Sequence, residues 1–173
     1  MPKIIENVRE QLLNEAKKQI VENGYAKTTI RSVAKSCGLG VGTVYNYFPS
    51  KDMLIASFMV EDWKRCMRQI KSDTSGEAEK ILKSIYCGLA NFMQQYNALF
   101  CDSDAAKVYA TAFSVRHKQL REQLAECVRP ICENTSVKDK DFLAEWIAES
   151  LLTWTVTGKG FDEQYEIIKQ FIK

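Results

Sequence analysis

Apolar residues recur three or four positions apart through almost the whole 173-residue chain, the spacing of a helix face buried against a core. No apolar–polar alternation lasts long enough to define a strand, and only Pro2, Pro49 and Pro130 interrupt the pattern. It predicts an all-α protein of about nine helices. The first carries Ile5, Val8, Leu12, Ala16 and Ile20 on one stripe and stops at Asn23-Gly24, where glycine takes a left-handed cap. A short second helix is capped by Thr29, turns Ile30, Val33 and Ala34 inward and ends at Gly38. A third runs from Val41 to Phe48 and is stopped by Pro49. Ser50 caps a long fourth helix through Leu54, Ile55, Phe58, Met59, Trp63, Cys66 and Ile70. Beyond Asp73-Thr74-Ser75-Gly76, helices are expected at about 77–97, 103–113, 115–134, 139–157 and 161–172, with a bend at Pro130 and a break at Gly158-Lys159-Gly160.

The stretch Thr28 to Lys51 carries the chemistry. Two short helices joined by Cys37-Gly38-Leu39-Gly40 have the length and turn glycine of a helix-turn-helix, whose second helix enters the major groove of DNA. At about 100° per residue, Val41, Val44 and Phe48 share a buried stripe, which centres Gly42, Thr43 and Asn46 on the opposite face with Tyr45 and Tyr47 flanking it. A face this small lets backbone approach base edges. Asn46 is suited to bidentate pairing with adenine, and Thr43 offers a hydroxyl to a base or a methyl to thymine. The tyrosines are placed for phosphate oxygens, as are Thr29, Arg31 and Lys51, two of which sit at helix starts where free N–H groups attract anions.

On the residues Gly24-Tyr25, Thr28-Thr29, Val33-Ala34, Gly38-Leu39, Gly42-Thr43-x-Tyr45-x-Tyr47-Phe48 and Lys51, the first third of the chain resembles the tetracycline-repressor (TetR) family of bacterial regulators. The resemblance implies a helix-turn-helix DNA-binding domain at 1–52 and a helical ligand-binding and dimerisation domain at 53–173. It implies a repressor that binds operator DNA as a dimer, reads it with the third helix through Gly42, Thr43, Tyr45, Asn46, Tyr47 and Lys51, and leaves it when a small molecule enters the body. Gly40 departs from the family pattern, standing where a serine often caps the third helix, and Val41 stands where a polar residue is common.

In the body, Trp63, Tyr86, Phe92, Met93, Tyr96, Tyr109, Phe113 and Trp154 lie at helical spacing and read individually as core; the resemblance makes them candidates for lining an inducer cavity. Phe142, Trp146, Ile147 and Leu151, with Ile168 and Phe171, supply more apolar surface than one helix pair buries, and are expected to join two copies in a homodimer.

Composition changes this picture little. Net charge is +2, but residues 1–52 hold eight basic residues against five acidic ones, a mildly basic head. No apolar run reaches the roughly 18 residues that span a bilayer, and Glu6, Arg9 and Glu10 break any leader-like segment, so a cytoplasmic protein without a membrane partner is expected. Cys37, Cys66, Cys87, Cys101, Cys127 and Cys132 form no C-x-x-C pair and have no metal spacing with His117, the sole histidine. Reduced, mostly buried thiols are expected, with no metal, no cofactor and no enzymatic constellation. The alternatives are a redox or thiol-sensing regulator and a helical interaction protein without a small ligand. Asp139, Asp141, Glu145 and Glu149 read as a solvated helix face or interface rim, and His117 as a surface residue.

Overall fold

The computed structural model describes residues 7–72 and 76–172, with side chains throughout except at 107–115. Among the described residues every regular element is a helix: α1 (Val8–Lys27), α2 (Ile30–Ser36), α3 (Val41–Tyr47), α4 (Lys51–Ser72), α5 (Ala78–Gln95), α6 (Asn97–Phe100), α7 (Ser103–Cys132), α8 (Lys140–Val156) and α9 (Phe161–Ile168). Local chemistry sets most boundaries. Gly24, at φ 77° and ψ 176°, breaks the ladder of α1, and one further turn follows to Lys27. Thr29 is extended and forms a reciprocal capping box with Ser32, each side-chain oxygen accepting the other's backbone N–H at 2.9–3.0 Å. Gly38 ends the α2 segment in the left-handed region at φ 66°. Phe48 is extended ahead of Pro49, and the Ser50 hydroxyl accepts the Met53 amide at 3.1 Å to start α4.

Three expectations are corrected. The helices expected at 103–113 and 115–134 are one, because no glycine or proline intervenes before Pro130, which sits in the last turn of α7. The helix expected at 77–97 divides at Tyr96, which is buried and non-helical between α5 and α6. The last helix closes at Ile168, with a turn over the residues that follow. Ile5 lies outside the described residues.

The helices assemble into two compact units, Met1–Trp63 with Gln95–Ala110, and Lys64–Gln94 with Thr111–Lys173. In the first, α1 packs on α2 and α6, and α2 on α3. Its core is Leu12, Ala16, Ile20, Val33, Val44, Phe48, Leu54, Ile55, Phe58 and Leu99, each at most 3% exposed. One polar hub ties it together. Asp62 of α4 accepts hydrogen bonds from Lys17 of α1 at 2.5 Å, from Gln95 at 2.7 Å and from the Tyr96 hydroxyl at 2.5 Å. Burial pushes the Asp62 carboxyl up, but these bonds outweigh it and hold the group below the usual carboxylate range.

In the second unit, Met67 and Ile70 of α4 join Ile81, Leu82, Ile85 and Leu89 of α5, Leu124, Ala125 and Val128 of α7, and the inner face of α8. Ile147, Leu151 and Ile168, expected at a dimer interface, are 0–2% exposed within the single chain, so they belong to its own core. The acidic face of α8 is partly spent on α7: Glu149 binds His117 at 2.9 Å, and Asp141 binds Arg129 at 3.1 Å. Asp139 caps α8 by accepting the Phe142 amide at 2.9 Å. His117 is therefore a half-buried link rather than a free surface residue.

Close approach of α4 and α5 depends on Gly88, where an added Cβ would stand 2.9 Å from Ile70 Cδ1 and 3.0 Å from Cys66 Sγ. Gly88→Val is expected to destabilise the protein by about 1–3 kcal/mol through overpacking. Urea denaturation should show a lower midpoint at an unchanged m-value.

Candidate nucleic-acid interface

Seven residues form α3, and they divide cleanly. Val44 is fully buried and Phe48, just past the helix, is 3% exposed, with the Arg9 guanidinium 5.7 Å from its ring centroid. Val41 is half-buried. Gly42 and Asn46 are exposed, Thr43 is half-buried, and Tyr45 and Tyr47 stand out at 51% and 46% exposure. The expected reading face is thus assembled on one side of α3. No side chain caps α3 at Gly40, so its first amides remain open donors.

Behind this face α2 is held to α1 through polar bonds. The amide of Gln19, a buried residue of α1, accepts from the Ser32 hydroxyl at 2.6 Å and donates to Glu15 at 2.7 Å and to Ser36 at 3.2 Å. Ser32 in turn completes the capping box that fixes Thr29, leaving Thr29 and Arg31 exposed at the start of α2. The sequence pattern did not reveal Gln19 or Ser32. A capping box with serine at its third helical position departs from the usual Glu or Gln, and Gln19 meets Ser32 only in the folded chain.

Lys51 is placed differently from the open phosphate ligand expected of it. Its Nζ donates to the Tyr25 carbonyl at 2.8 Å and lies 3.4 Å from the Tyr25 ring centroid. The Tyr25 hydroxyl donates to Asp52 at 2.6 Å. Burial pushes the Lys51 ammonium below its usual value, against the opposing influence of Asp52, Asp102 and Asp104. Burial, and then the bond to Asp52, push the Tyr25 phenol up to about 12.

The cavity candidates do not gather at one place. Tyr96 is buried in the first unit, its ring stacked 6.0 Å from Phe58 and its hydroxyl on Asp62. Trp63, also of the first unit, is half-buried. Tyr86, Phe92 and Met93 are half-buried on α5 in the second unit, with Tyr86 5.7 Å from Phe161, while Trp154 is 50% exposed on α8. The side chains of Tyr109 and Phe113 lie outside the described residues. The thiols are less buried than expected. Cys127 and Cys132 are inside, Cys37 and Cys66 are intermediate, and Cys87 and Cys101 are exposed. Burial pushes the Cys37, Cys66, Cys127 and Cys132 thiols up, which lowers their thiolate fraction.

Fold and site together define a helix-turn-helix head on a helical body. Residues 12–58 match the model of the tetR family of bacterial regulatory proteins. The N-terminal region is 31% identical over 68 residues to the HTH-type transcriptional regulator UidR of Escherichia coli K12, a match covering 39% of this chain and 35% of UidR. The match thus spans about a third of that relative's length. The HTH-type transcriptional repressor KstR of Mycobacterium tuberculosis is 25% identical over 154 residues, covering 84% of this chain and 70% of KstR. The fold is shared with a transcriptional regulator from Cytophaga hutchinsonii, at a TM-score of 0.66 and 20% identity over 93% of this chain and 90% of that one. By its head, the chain belongs to the tetR family of bacterial regulatory proteins. Among the described residues, no helix is long and apolar enough to cross a membrane.

A phenol whose pKa rises on folding favours the native state below its unfolded value of about 10, and this contribution is lost as pH climbs toward about 12. Ultraviolet titration at 295 nm should show one tyrosine ionising near 12, absent in Tyr25→Phe. The wild-type protein should also lose stability relative to Tyr25→Phe between pH 10 and 12.

Proposed function

We propose that this protein is a transcription regulator that binds double-stranded operator DNA as a homodimer, represses there, and is released by a small molecule in its body. The observation that carries the reading is the exposed face of α3. Two half-exposed tyrosines, an exposed asparagine and a glycine on a seven-residue helix have no packing use inside the head. Gly42 is the clearest case, since an added Cβ would meet nothing within 4 Å and the backbone there is ordinary helix. The head forgoes helix propensity at that position for no internal reason, which fits close approach by an outside surface.

In this reading Thr43 and Asn46 face base edges, Tyr45 and Tyr47 face phosphates, and Thr29 and Arg31 hold the backbone beside α2. α4 is the element through which a ligand acts. It begins beside the head at Lys51 and continues unbroken to Ser72 in the second unit. A ligand shifts DNA affinity only by binding one arrangement of that helix better than another. The half-buried Tyr86, Phe92 and Met93 of α5 remain the candidates for ligand contact.

A homodimer supplies the second recognition helix that paired half-sites require. Once Ile147, Leu151 and Ile168 are assigned to the core, the surface left for it is Phe142, Trp146, Trp154, Ile167 and Phe171, which are 37–64% exposed. Trp146 and Phe171 meet edge to face at 5.3 Å, and a groove between α8 and α9 opens beside Trp146, Trp154 and Ile167. Apolar area of this density on one helix pair fits a four-helix packing between copies.

Mobility-shift titrations on a duplex enriched from random DNA by the wild-type protein test the reading. Asn46→Ala should cost about 1–3 kcal/mol and relax preference at one base pair. Gly42→Ala should stabilise the free protein by about 0.5–1 kcal/mol while weakening binding. Failure of the wild type to enrich any sequence, or an unchanged preference in Asn46→Ala, refutes base reading by α3. Separately, Trp154→Asp and Ile167→Asp should give folded monomers in light scattering with weakened operator binding, whereas Leu151→Asp should unfold the chain. Dimers of full affinity in both surface variants would exclude this interface.

A further inference from the structure

The helix-turn-helix is closed at its two ends by one cluster, Tyr25 before it and Lys51-Asp52 after it. We infer that Lys51 serves DNA recognition as a positioning residue that caps α1 through Tyr25, rather than as a cation that neutralises a phosphate. The inference rests on the DNA-binding reading above and reassigns one residue within it.

The need for a cap follows from Gly24. That residue breaks the helical ladder, so the short turn that ends α1 presents carbonyls with no following amides to bind them. The Tyr25 carbonyl is one of these, and Lys51 Nζ satisfies it at 2.8 Å, a cation placed at the negative end of a helix. The same ammonium lies 3.4 Å from the Tyr25 ring centroid. The ring is made a better partner by its hydroxyl, which donates to Asp52 at 2.6 Å and so feeds electron density to the π-face. Adjacent residues at the start of α4 therefore grip one side chain from both its polar end and its face.

What this grip holds is the approach to α2. Thr28 is 1% exposed, its hydroxyl donates to the Gly24 carbonyl at 2.9 Å and its amide to the same oxygen at 3.3 Å. Thr29 follows as the cap of α2. Fixing Tyr25 thus fixes where α2 begins, and Phe48-Pro49-Ser50 carries the same constraint back from α3. The charges around Lys51 agree with this role. Asp52, Asp102 and Asp104 all act on the ammonium, surroundings that disfavour a phosphate at the same point.

Two measurements separate a positioning lysine from a phosphate ligand. Hydrogen exchange at the Thr28 and Thr29 amides, made on the free protein, should quicken roughly tenfold in Lys51→Ala and Lys51→Met. Lys51→Arg should return it toward wild type, because a guanidinium also stacks on the ring and reaches the carbonyl. On the enriched duplex, Lys51→Met should weaken binding while keeping the slope of log K against log salt within about half a unit of wild type; a lost phosphate contact would flatten it by about 0.9. Unchanged exchange in both variants, or a slope flatter by about one unit, overturns the inference. If the wild type enriches no DNA, the DNA-binding reading fails, and the exchange data alone still decide whether Lys51 holds α1 and α2 in place.

Discussion

A seven-residue helix is far too short to be stable by itself in water. α3 therefore exists only because Val44 and Phe48 are seated in a core built by α1, α2 and α4, and every property of its exposed face depends on that seating. Burial of two apolar side chains, worth about 1.5–3 kcal/mol each, anchors the element. It leaves the remaining positions free of packing duties, which is why glycine, threonine, asparagine and two tyrosines can occupy them. The head is a scaffold whose stability is generated on one side of α3 and whose chemistry is displayed on the other.

The supports behind that face are of two kinds. Apolar contacts set the depth of α2 and α3, while polar bonds set where their ends begin. Gln19 and Ser32 fix the start of α2, and Tyr25 with Lys51 and Asp52 joins the segment before it to the helix after it. These polar groups are partly buried, so their directional bonds discriminate sharply between one register and another. Asp62 makes a second such joint further along α4, gathering donors from α1 and from the turn between α5 and α6. α4 thus bears on the head at both its first turn and its middle, as a helix that transmits a change must.

The second unit separates core from surface on the same helices. α8 turns Leu143, Ile147 and Leu151 inward and leaves Phe142, Trp146 and Trp154 outside. A helix that is apolar on more than one side satisfies one side within its own chain and has the other to offer elsewhere. The ionic contacts from His117, Arg121 and Arg129 to α8 border the apolar surface without covering it.

The helix-turn-helix was legible in the sequence because its signals are local: Thr29 as a cap, Gly38 in a left-handed turn, Pro49 as a stop, and an apolar spacing that assigns Val44 and Phe48 to the core whatever lies behind them. The all-helical class was legible for the same reason. What lay beyond reach depended on groups brought together from distant positions. Periodicity marks Ile147, Leu151 and Ile168 as apolar but does not say which chain buries them. Nor does it distinguish Tyr96, committed to Phe58 and Asp62, from a side chain free to meet a ligand. Lys51 and Tyr25 are 26 residues apart. In the sequence each is an ordinary polar or aromatic residue, and only the tertiary fold, by setting the start of α4 beside the broken end of α1, turns the lysine inward onto a carbonyl that the chain's own helix left unbonded.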